Sequence, residues 1–276
     1  MSMEATLLVL ALIFYFMAAA SFVAHVMTLR ESFRRLGPAL LVGAVAAHGL
    51  EIAVRSVAVG YIAVTAFDEG LSFLAFIVTA IFLLAHRRYV LTVLGAVIAP
   101  LAFLLTLISF AIHSGTSELP PSLRSAWLPV HVILAFLGNA VFALAFGGSL
   151  IYLFEDNRLK AKRPPRLRRL MPSLEKLDTL NHRLLAWGFP FLTLGIVSGA
   201  IWAHFAWGQF WSWEARETWS LFTWLLYATL LHGRVTAGWR GRRAATLTIL
   251  GFAVLVMSFV SVNFLFPGRH GGSFGS

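Results

Sequence analysis

The sequence predicts an all-α, polytopic membrane helix bundle of about eight transmembrane helices, with the N- and C-termini outside the cytoplasm. Hydrophobic residues make up 59% and charged residues 12% of the 276 residues, and the mean hydropathy is +0.80. A soluble domain carries about 25% charged residues, so this chain has too few polar side chains to cover a surface in water. In a bilayer, the side chains that face lipid can be apolar.

Eight apolar segments approach the roughly 20 residues that a membrane helix needs. The third and the seventh are short. The first segment lacks a preceding basic region, so we interpret it as a span rather than a cleaved signal. We expect a single integral membrane domain over 1–276, with spans at 5–28, 38–59, 71–85, 89–112, 127–154, 184–204, 218–232 and 244–266.

The basic residues are divided unequally between the two sets of loops. Eighteen of the 22 Lys and Arg residues follow the first, third, fifth and seventh spans. Only Arg55, Arg124, Arg216 and Arg269 remain for the other side. The positive-inside rule makes the first set cytoplasmic, and an even number of spans then places both termini outside. We therefore interpret the net charge of +10 as a topology signal, aided by anionic membrane lipid, and expect no nucleic-acid partner.

The residue types present limit the possible chemistry. The chain contains no cysteine, which excludes a structural disulfide, a thiolate metal site and a thiol redox step of its own. Nine histidines leave imidazole ligation of haem iron or another metal open. The sequence contains no nucleotide-binding loop, catalytic triad or hydrolytic metal motif.

The loop before the seventh span concentrates aromatic and charged side chains. Four of the nine tryptophans fall within 207–219. An aromatic belt at the membrane interface is one explanation, but a belt is spread over many helix ends. Flat apolar faces beside a cation suit a large planar ligand with carboxylates, because rings stack on its plane and arginine pairs with a carboxylate. The candidate binding residues are Trp207, Trp211, Trp213, Glu214, Arg216 and Trp219.

Several histidines fall near the same side of the membrane. His113, His131, His204 and His270 lie near outer helix ends. Two neutral imidazoles on opposite faces of a porphyrin can supply both axial iron ligands. A lone interfacial histidine is more often solvated, but the tryptophan-rich loop favours a ligand pair here. In contrast, the histidines at the predicted cytoplasmic ends are expected to be solvated: His25, His86 and His182.

A polar cluster and several glycines have structural alternatives. His48, Glu51 and Arg55 share one helix face in or near the second span. They form either a Glu51–Arg55 ion pair beside a packed histidine or a functional group, such as an extra haem contact or a proton site. Four glycines predict points of close helix packing: Gly147, Gly148, Gly195 and Gly199.

The segment 207–234 resembles the tryptophan-rich "WWD" signature of the CcsA (ResC) cytochrome c biogenesis proteins. These belong to a wider haem-handling superfamily with CcmC and CcmF. Glu214 stands where an aspartate is usual, and Ala215-Arg216 stands where the family has Pro-Lys. The likeness is strong over 123–276, which forms a haem-handling core, and weak over the variable first spans, 1–122. Further similar segments are 123–132, 172–178, 188–196, 238–243 and 262–270.

The resemblance implies a part in system II cytochrome c maturation. His131 and His270 match two external histidines that ligate haem iron, and His232 matches a histidine of a second haem site within the membrane. The tryptophan-rich loop would form a platform for haem b on the periplasmic face of a bacterial inner membrane. The chain would move haem to this face with a CcsB (ResB)-like partner and present it to the CXXCH thiols of apocytochrome c. It would then be a component of a holocytochrome c synthase, or haem lyase.

Two other functions are compatible with a membrane protein. A HemX-like regulator or assembly factor of tetrapyrrole metabolism needs no bound haem and no catalytic role. The short first half, also found in HemX and YpjD types, favours it, whereas the loop with His131 and His270 argues against it. A secondary transporter predicts repeated halves or broken helices, and the sequence shows neither.

Overall fold

The computed structural model describes residues 2–89, 91–112, 125, 127–162 and 170–264. Within these ranges the chain forms eight helices and no strand, which confirms the all-α prediction. Seven are long and apolar enough to cross a membrane, as expected of a multi-pass membrane protein. The helices are α1 (Met3–Thr28), α2 (Glu31–Val59), α3 (Phe67–Tyr89), α4 (Thr92–Ala111), α5 (Trp127–Lys160), α6 (Leu174–Trp207), α7 (Ala215–Thr236) and α8 (Gly241–Phe264).

Helix α7 is the one outside that group of seven. Its 22 residues extend about 33 Å at 1.5 Å per residue, which matches a hydrocarbon core of about 30 Å. Its ends are polar, however, with Arg216 and Glu217 in the first turn and His232 and Arg234 near the last. The seventh crossing, and with it the location of both termini outside, stays a prediction.

The ends of several helices differ from the predicted spans, and α3 and α7 are two examples. The third and seventh spans were expected at 71–85 and 218–232, whereas α3 and α7 are longer at both ends. The reason is that charged residues continue these helices beyond their apolar stretch. Asp68 and Glu69, for example, lie in the first turn of α3, where the helix dipole favours negative charge.

The helices fall into two compact units. The first unit comprises Met1–Thr116 with Pro164–Pro172, and the second comprises Ser117–Arg163 with Ser173–Ser276. Among the described residues, the first unit therefore holds α1 to α4 and the second holds α5 to α8. The predicted division of a single domain into 1–122 and 123–276 remains a prediction.

The first unit packs around Phe22 of α1. This ring is fully buried, and its centroid lies 6.0 Å from that of Phe82 in an edge-to-face arrangement. Small residues on two other helices make room for it, because a Cβ at Gly37 would lie 3.1 Å from the ring and one at Gly95 only 2.5 Å. Phe22 thus joins α1 to α2, α3 and α4.

The second unit is built on a close contact between α5 and α6. A Cβ at Gly138 would lie 3.0 Å from the backbone nitrogen of Leu192, and one at Gly195 would lie 3.1 Å from the Cα of Ala135. The prediction that Gly195 permits close packing is thereby confirmed. This approach of the two backbones sets the position of the side chains at the Trp127 end of α5, where the candidate site begins.

Candidate functional site

The tryptophan-rich loop connects the end of α6 to the start of α7. Helix α6 is capped by Gly208, which adopts a left-handed conformation (φ 75°) and donates its N–H to the carbonyl of His204 at 2.8 Å. The loop then runs to Glu214, the residue before α7. It occupies one end of the second unit.

Glu217, in the first turn of α7, fastens this loop. Its Oε2 accepts the backbone N–H of Ser212 at 2.7 Å, and its Oε1 accepts the Ser212 hydroxyl at 3.1 Å. A glutamate at the third position of a helix commonly reaches back in this way. Glu217 was not among the predicted binding residues, although its position three residues into α7 is the signal for such a contact.

Trp213 stands at the exposed tip of the loop. Its φ is 58°, a left-handed conformation that costs a non-glycine residue about 1–2 kcal/mol. The side chain is 71% exposed, and its ring meets that of Trp211 edge to face at 5.9 Å. The indole N–H of Trp211 is buried without a hydrogen-bond partner. The loop therefore holds an apolar ring in a strained, solvent-facing position.

His131 lies on α5 beside the same end of α6. Its Nδ1 is 2.8 Å from the carbonyl oxygen of Gly195. Because a carbonyl only accepts, Nδ1 carries the proton, and the lone pair of the neutral ring lies on Nε2. A Cβ at Gly199 would lie 2.7 Å from the imidazole, so the glycine leaves the ring its space. A backbone carbonyl commonly orients metal-ligating histidines in this way.

Two further tryptophans connect His131 with the loop. The imidazole stacks on Trp202 with ring centroids 6.1 Å apart and planes 10° apart. Trp202 in turn meets Trp207 at 4.8 Å. The sequence analysis left Trp202 out of the site, since a tryptophan inside an apolar span gives no signal that separates it from core. The structure thus places three aromatic rings next to one another in a row: those of His131, Trp202 and Trp207.

Arg216 supplies positive charge at this end of the unit. The positive charge of Arg216 is close enough to the imidazole of His131 to interact with it electrostatically. Burial lowers the pKa of the Arg216 guanidinium, and the carboxylate of Glu214 opposes that shift. Within the described part of the chain, no carboxylate forms an ion pair with Arg216 at 4.0 Å or less. The guanidinium is thus available to a carboxylate ligand.

Two other predicted residues have separate positions. Trp219 is partly buried on α7 and contacts Phe222 at 6.5 Å. His232 is exposed near the opposite end of α7, 16 residues after Arg216, or about 24 Å along the helix. It therefore lies apart from the tryptophan-rich loop, and its assignment to a second haem site stays a prediction. His270, like His113, lies outside the described residues.

The end of α7 that carries His232 is held by a buried ion pair. Arg234 donates to both carboxylate oxygens of Asp178, at 3.0 and 2.8 Å. The same carboxylate accepts the N–H of Gly241 at 2.9 Å, so Asp178 links α6, α7 and the start of α8. The ion pair thus holds the end of α7 that carries His232 against α6.

The other described histidines differ in burial, and one of them, His25, is not solvated as the sequence predicts. His25 was expected to be solvated, but it is 2% exposed, because the chain turns after α1 and the Arg30 carbonyl accepts its Nδ1–H at 2.9 Å. His48 is fully buried with both ring nitrogens bonded, to Tyr15 at 3.2 Å and Ser72 at 2.6 Å. This leaves His48 no lone pair for iron. His86 and His182 are only partly buried.

Comparison with known sequences adds to this geometry. The sequence model of a family described as "Cytochrome C assembly protein" matches residues 64–270. The chain belongs to this family. The match begins within the first unit, so the likeness reaches further toward the N-terminus than the segment 123–276 on which the resemblance was strongest.

The curated relatives of this family member include two CcsA proteins. "Cytochrome c biogenesis protein CcsA" of Chlamydomonas reinhardtii is 37% identical over 217 residues, which cover 75% of this chain and 59% of the relative. The protein of the same name from Prochlorococcus marinus is 35% identical over 236 residues, 76% of each chain. The chain therefore spans between three fifths and three quarters of these two relatives.

A solved structure shares the fold of this family member. "Cytochrome c Heme Lyase CcmF" superposes with a TM-score of 0.63 over 99% of this chain and 51% of its own, at 18% identity. At that identity the likeness concerns the fold. It extends over both units, including the first, where the sequence resemblance is weakest.

Proposed function

We propose that this protein handles haem in cytochrome c maturation, bringing it to the outer face of the membrane and presenting it for covalent attachment to apocytochrome c. The observation that carries the proposal is the state of His131. Its Nδ1–H is committed to the Gly195 carbonyl at 2.8 Å, which directs an Nε2 lone pair to a ligand. Family membership and the CcsA relatives support the same function.

Haem b is the proposed cargo, and the described residues fit it. The imidazole of His131 would bind iron on one side, with His270 as the second axial ligand. Trp207, Trp211 and Trp213 offer aromatic faces to an apolar macrocycle, and Trp219 extends this set. Arg216 forms no salt bridge with another described residue, and its guanidinium would bind a propionate.

The proposed transfer relies on positioning. Attachment joins each vinyl group of haem to a thiol of the CXXCH motif, and the thiols belong to apocytochrome c because this chain has no cysteine. Holding the reacting groups together lowers the entropic cost of their encounter. Presentation by His131, His270 and the tryptophan-rich loop is therefore sufficient as this chain's contribution, within a haem lyase that includes other subunits.

A second haem location is proposed at His232. The side chain is exposed, and the Asp178–Arg234 pair holds its helix end. An exposed imidazole supports ligation of a haem whose other axial ligand comes from another surface, for which we propose a CcsB-like membrane partner. Haem would enter here, near the cytoplasmic side of a bacterial inner membrane, and leave at the tryptophan-rich loop.

The visible spectrum of the purified protein tests the outer site. We expect a low-spin, six-coordinate haem in the wild type. In His131→Ala it should become high-spin or be lost, and added imidazole should restore the low-spin form. His204→Ala is the matched control, because His204 is an exposed histidine at the same end of α6, stacked on Phe210 at 4.2 Å.

The outcome decides between two functions. If the wild type binds no haem even when haem is supplied, or if His131→Ala and His204→Ala behave alike, the proposal is wrong. A HemX-like regulator of tetrapyrrole metabolism would then be favoured. That alternative has less support at present, since the curated relatives above carry the name CcsA.

A further inference from the structure

The first unit contains a buried polar cluster that the haem-handling function does not use. His48, Glu51 and Arg55 lie on one face of α2 and are 0%, 3% and 5% exposed. Ionisable side chains inside a membrane segment are costly, and they persist where they are paired or have a function. Each of the three groups is therefore expected to have a partner or a function.

Arg55 pairs with α3 rather than with its own helix. Its guanidinium lies 3.0 Å from Oε1 of Glu69 and 3.5 Å from Asp68. The Glu51–Arg55 ion pair, one of the two alternatives left open by the sequence, is not among the contacts of 4.0 Å or less within the described residues. The sequence spacing permits it, but the first turn of α3 brings two competing carboxylates.

Glu69 accepts several hydrogen bonds in addition to its contact with Arg55. Besides Arg55, its Oε2 accepts the backbone N–H groups of Thr65 and Ala66 at 2.9 and 3.0 Å, and the Thr65 hydroxyl at 3.2 Å. The carboxyl group of Glu69 is thus fully engaged by Arg55 and by the Thr65–Ala66 segment.

Glu51 differs from Glu69 in the hydrogen bonding of its carboxyl group. Its Oε2 is buried and has no hydrogen-bond partner. The charges that act on it are Arg55 from α2, Glu4 from α1, and Asp68 and Glu69 from α3, so three anions accompany one cation. A buried carboxylate without a partner is far costlier than the neutral acid.

His48 offers no base for this group. The histidine lies one turn before Glu51, but both of its ring nitrogens are bonded, to Tyr15 and to Ser72. Moreover, no three His, Asp or Glu side chains converge as metal ligands within the described ranges. Neither His48 nor a converging set of ligands therefore competes with a proton for Glu51.

We propose that Glu51 is a proton-binding site of the first unit, which holds its side chain as the neutral carboxylic acid. The proton sits on a carboxyl oxygen inside the helix bundle, and its loss adds a further buried anion to Asp68 and Glu69. This inference does not depend on haem binding, since it uses only α1, α2 and α3.

Infrared spectroscopy of the full chain in lipid tests the site. At neutral pH we expect the carbonyl stretch of a protonated carboxylic acid, shifted in D₂O and lost on raising the pH. Glu51→Gln should remove this band. Glu155→Gln is the matched control, because Glu155 is equally buried but paired with Arg158 at 3.0 Å, and the band should persist there.

Thermal unfolding gives a second readout. A proton bound in the folded state and released on unfolding makes stability fall as pH rises, so the melting temperature of the wild type should drop more toward alkaline pH than that of Glu51→Gln. Glu51→Asp keeps the acid and should move the band rather than abolish it. A wild type without the band, a band unchanged in Glu51→Gln, or equal pH slopes in both proteins would overturn the proposal.

Discussion

His131 donates its Nδ1–H to the Gly195 carbonyl, and the same oxygen also accepts the hydroxyl of Ser198 at 3.0 Å. This arrangement fixes the tautomer and orientation of the ring before any ligand arrives. A ligand group held in this way loses little freedom on binding, which favours affinity. At the scale of single residues, the site therefore depends on the backbone of α6 as much as on the imidazole.

Gly199→Ala tests whether the site depends on the position of the His131 ring, and it leaves every proposed haem-binding residue unchanged. The new Cβ would lie 2.7 Å from the His131 ring, so the imidazole must turn away from its position. We expect a mixed or high-spin haem spectrum in this variant and a melting temperature lowered by several degrees. Ser198→Ala, one residue away, removes a hydroxyl but leaves the ring its space, and it should keep the low-spin spectrum. A low-spin spectrum in both variants would contradict the role assigned to the ring's position.

The residues that sequence reasoning missed were hidden by tertiary contacts. His131 was predictable because it stands near an outer helix end and matches a known pattern. The burial of His25 was not, since it arises when the chain turns back and the Arg30 carbonyl covers the ring. Trp202 was missed for a similar reason, because its neighbour His131 is 71 residues away in sequence.

At the scale of one element, α7 connects the two proposed haem locations. Its first turn is tied to the tryptophan-rich loop by Glu217 and its last turn to α6 by the Asp178–Arg234 pair. The helix itself was predictable from its pattern, although its polar ends were assigned to loops. The Arg55–Glu69 pair was not predictable, because the local spacing rule names Glu51 and carries no information on α3.

Glu217→Ala should loosen the loop while leaving every proposed haem contact in place. The N–H and hydroxyl of Ser212 lose their acceptor, which costs about 1–2 kcal/mol of unfolding free energy. We expect faster hydrogen exchange at the Ser212 amide and weaker haem retention. The same change at Glu175, exposed in the first turn of α6, should affect neither. Equal exchange at Ser212 in the two variants would show that Glu217 does not hold the loop.

At the scale of the whole molecule, the all-helical architecture is the property that composition predicts best. The eight helices follow from apolar segments, and their orientation is expected from eighteen basic residues on one side. Helix α7 has the weakest apolar signal of the eight helices, and its crossing decides the side on which the C-terminus lies. Its polar ends lower the apolar signal, and only its length of 22 residues and its tertiary partners support a span.

The absence of cysteine makes this crossing directly measurable. Single cysteines at Gln209 and Ala237, both exposed positions flanking α7, can be labelled with a membrane-impermeant maleimide in intact cells. We expect Gln209→Cys to react from outside and Ala237→Cys to react only after permeabilisation. Ala161→Cys, in the loop after α5, should behave like Ala237→Cys. Labelling of the Gln209 and Ala237 variants from the same side would rule out the crossing.

The close contact of α5 and α6 also has a magnetic consequence. In low-spin ferric haem, the orientation of an axial imidazole plane relative to the porphyrin nitrogens determines the splitting of the iron d orbitals. Because the Gly195 carbonyl and the stacked Trp202 hold the His131 ring at one angle, every molecule should present the same ligand plane. The electron paramagnetic resonance of the bound haem should then show one narrow set of g values, and Gly199→Ala should broaden it.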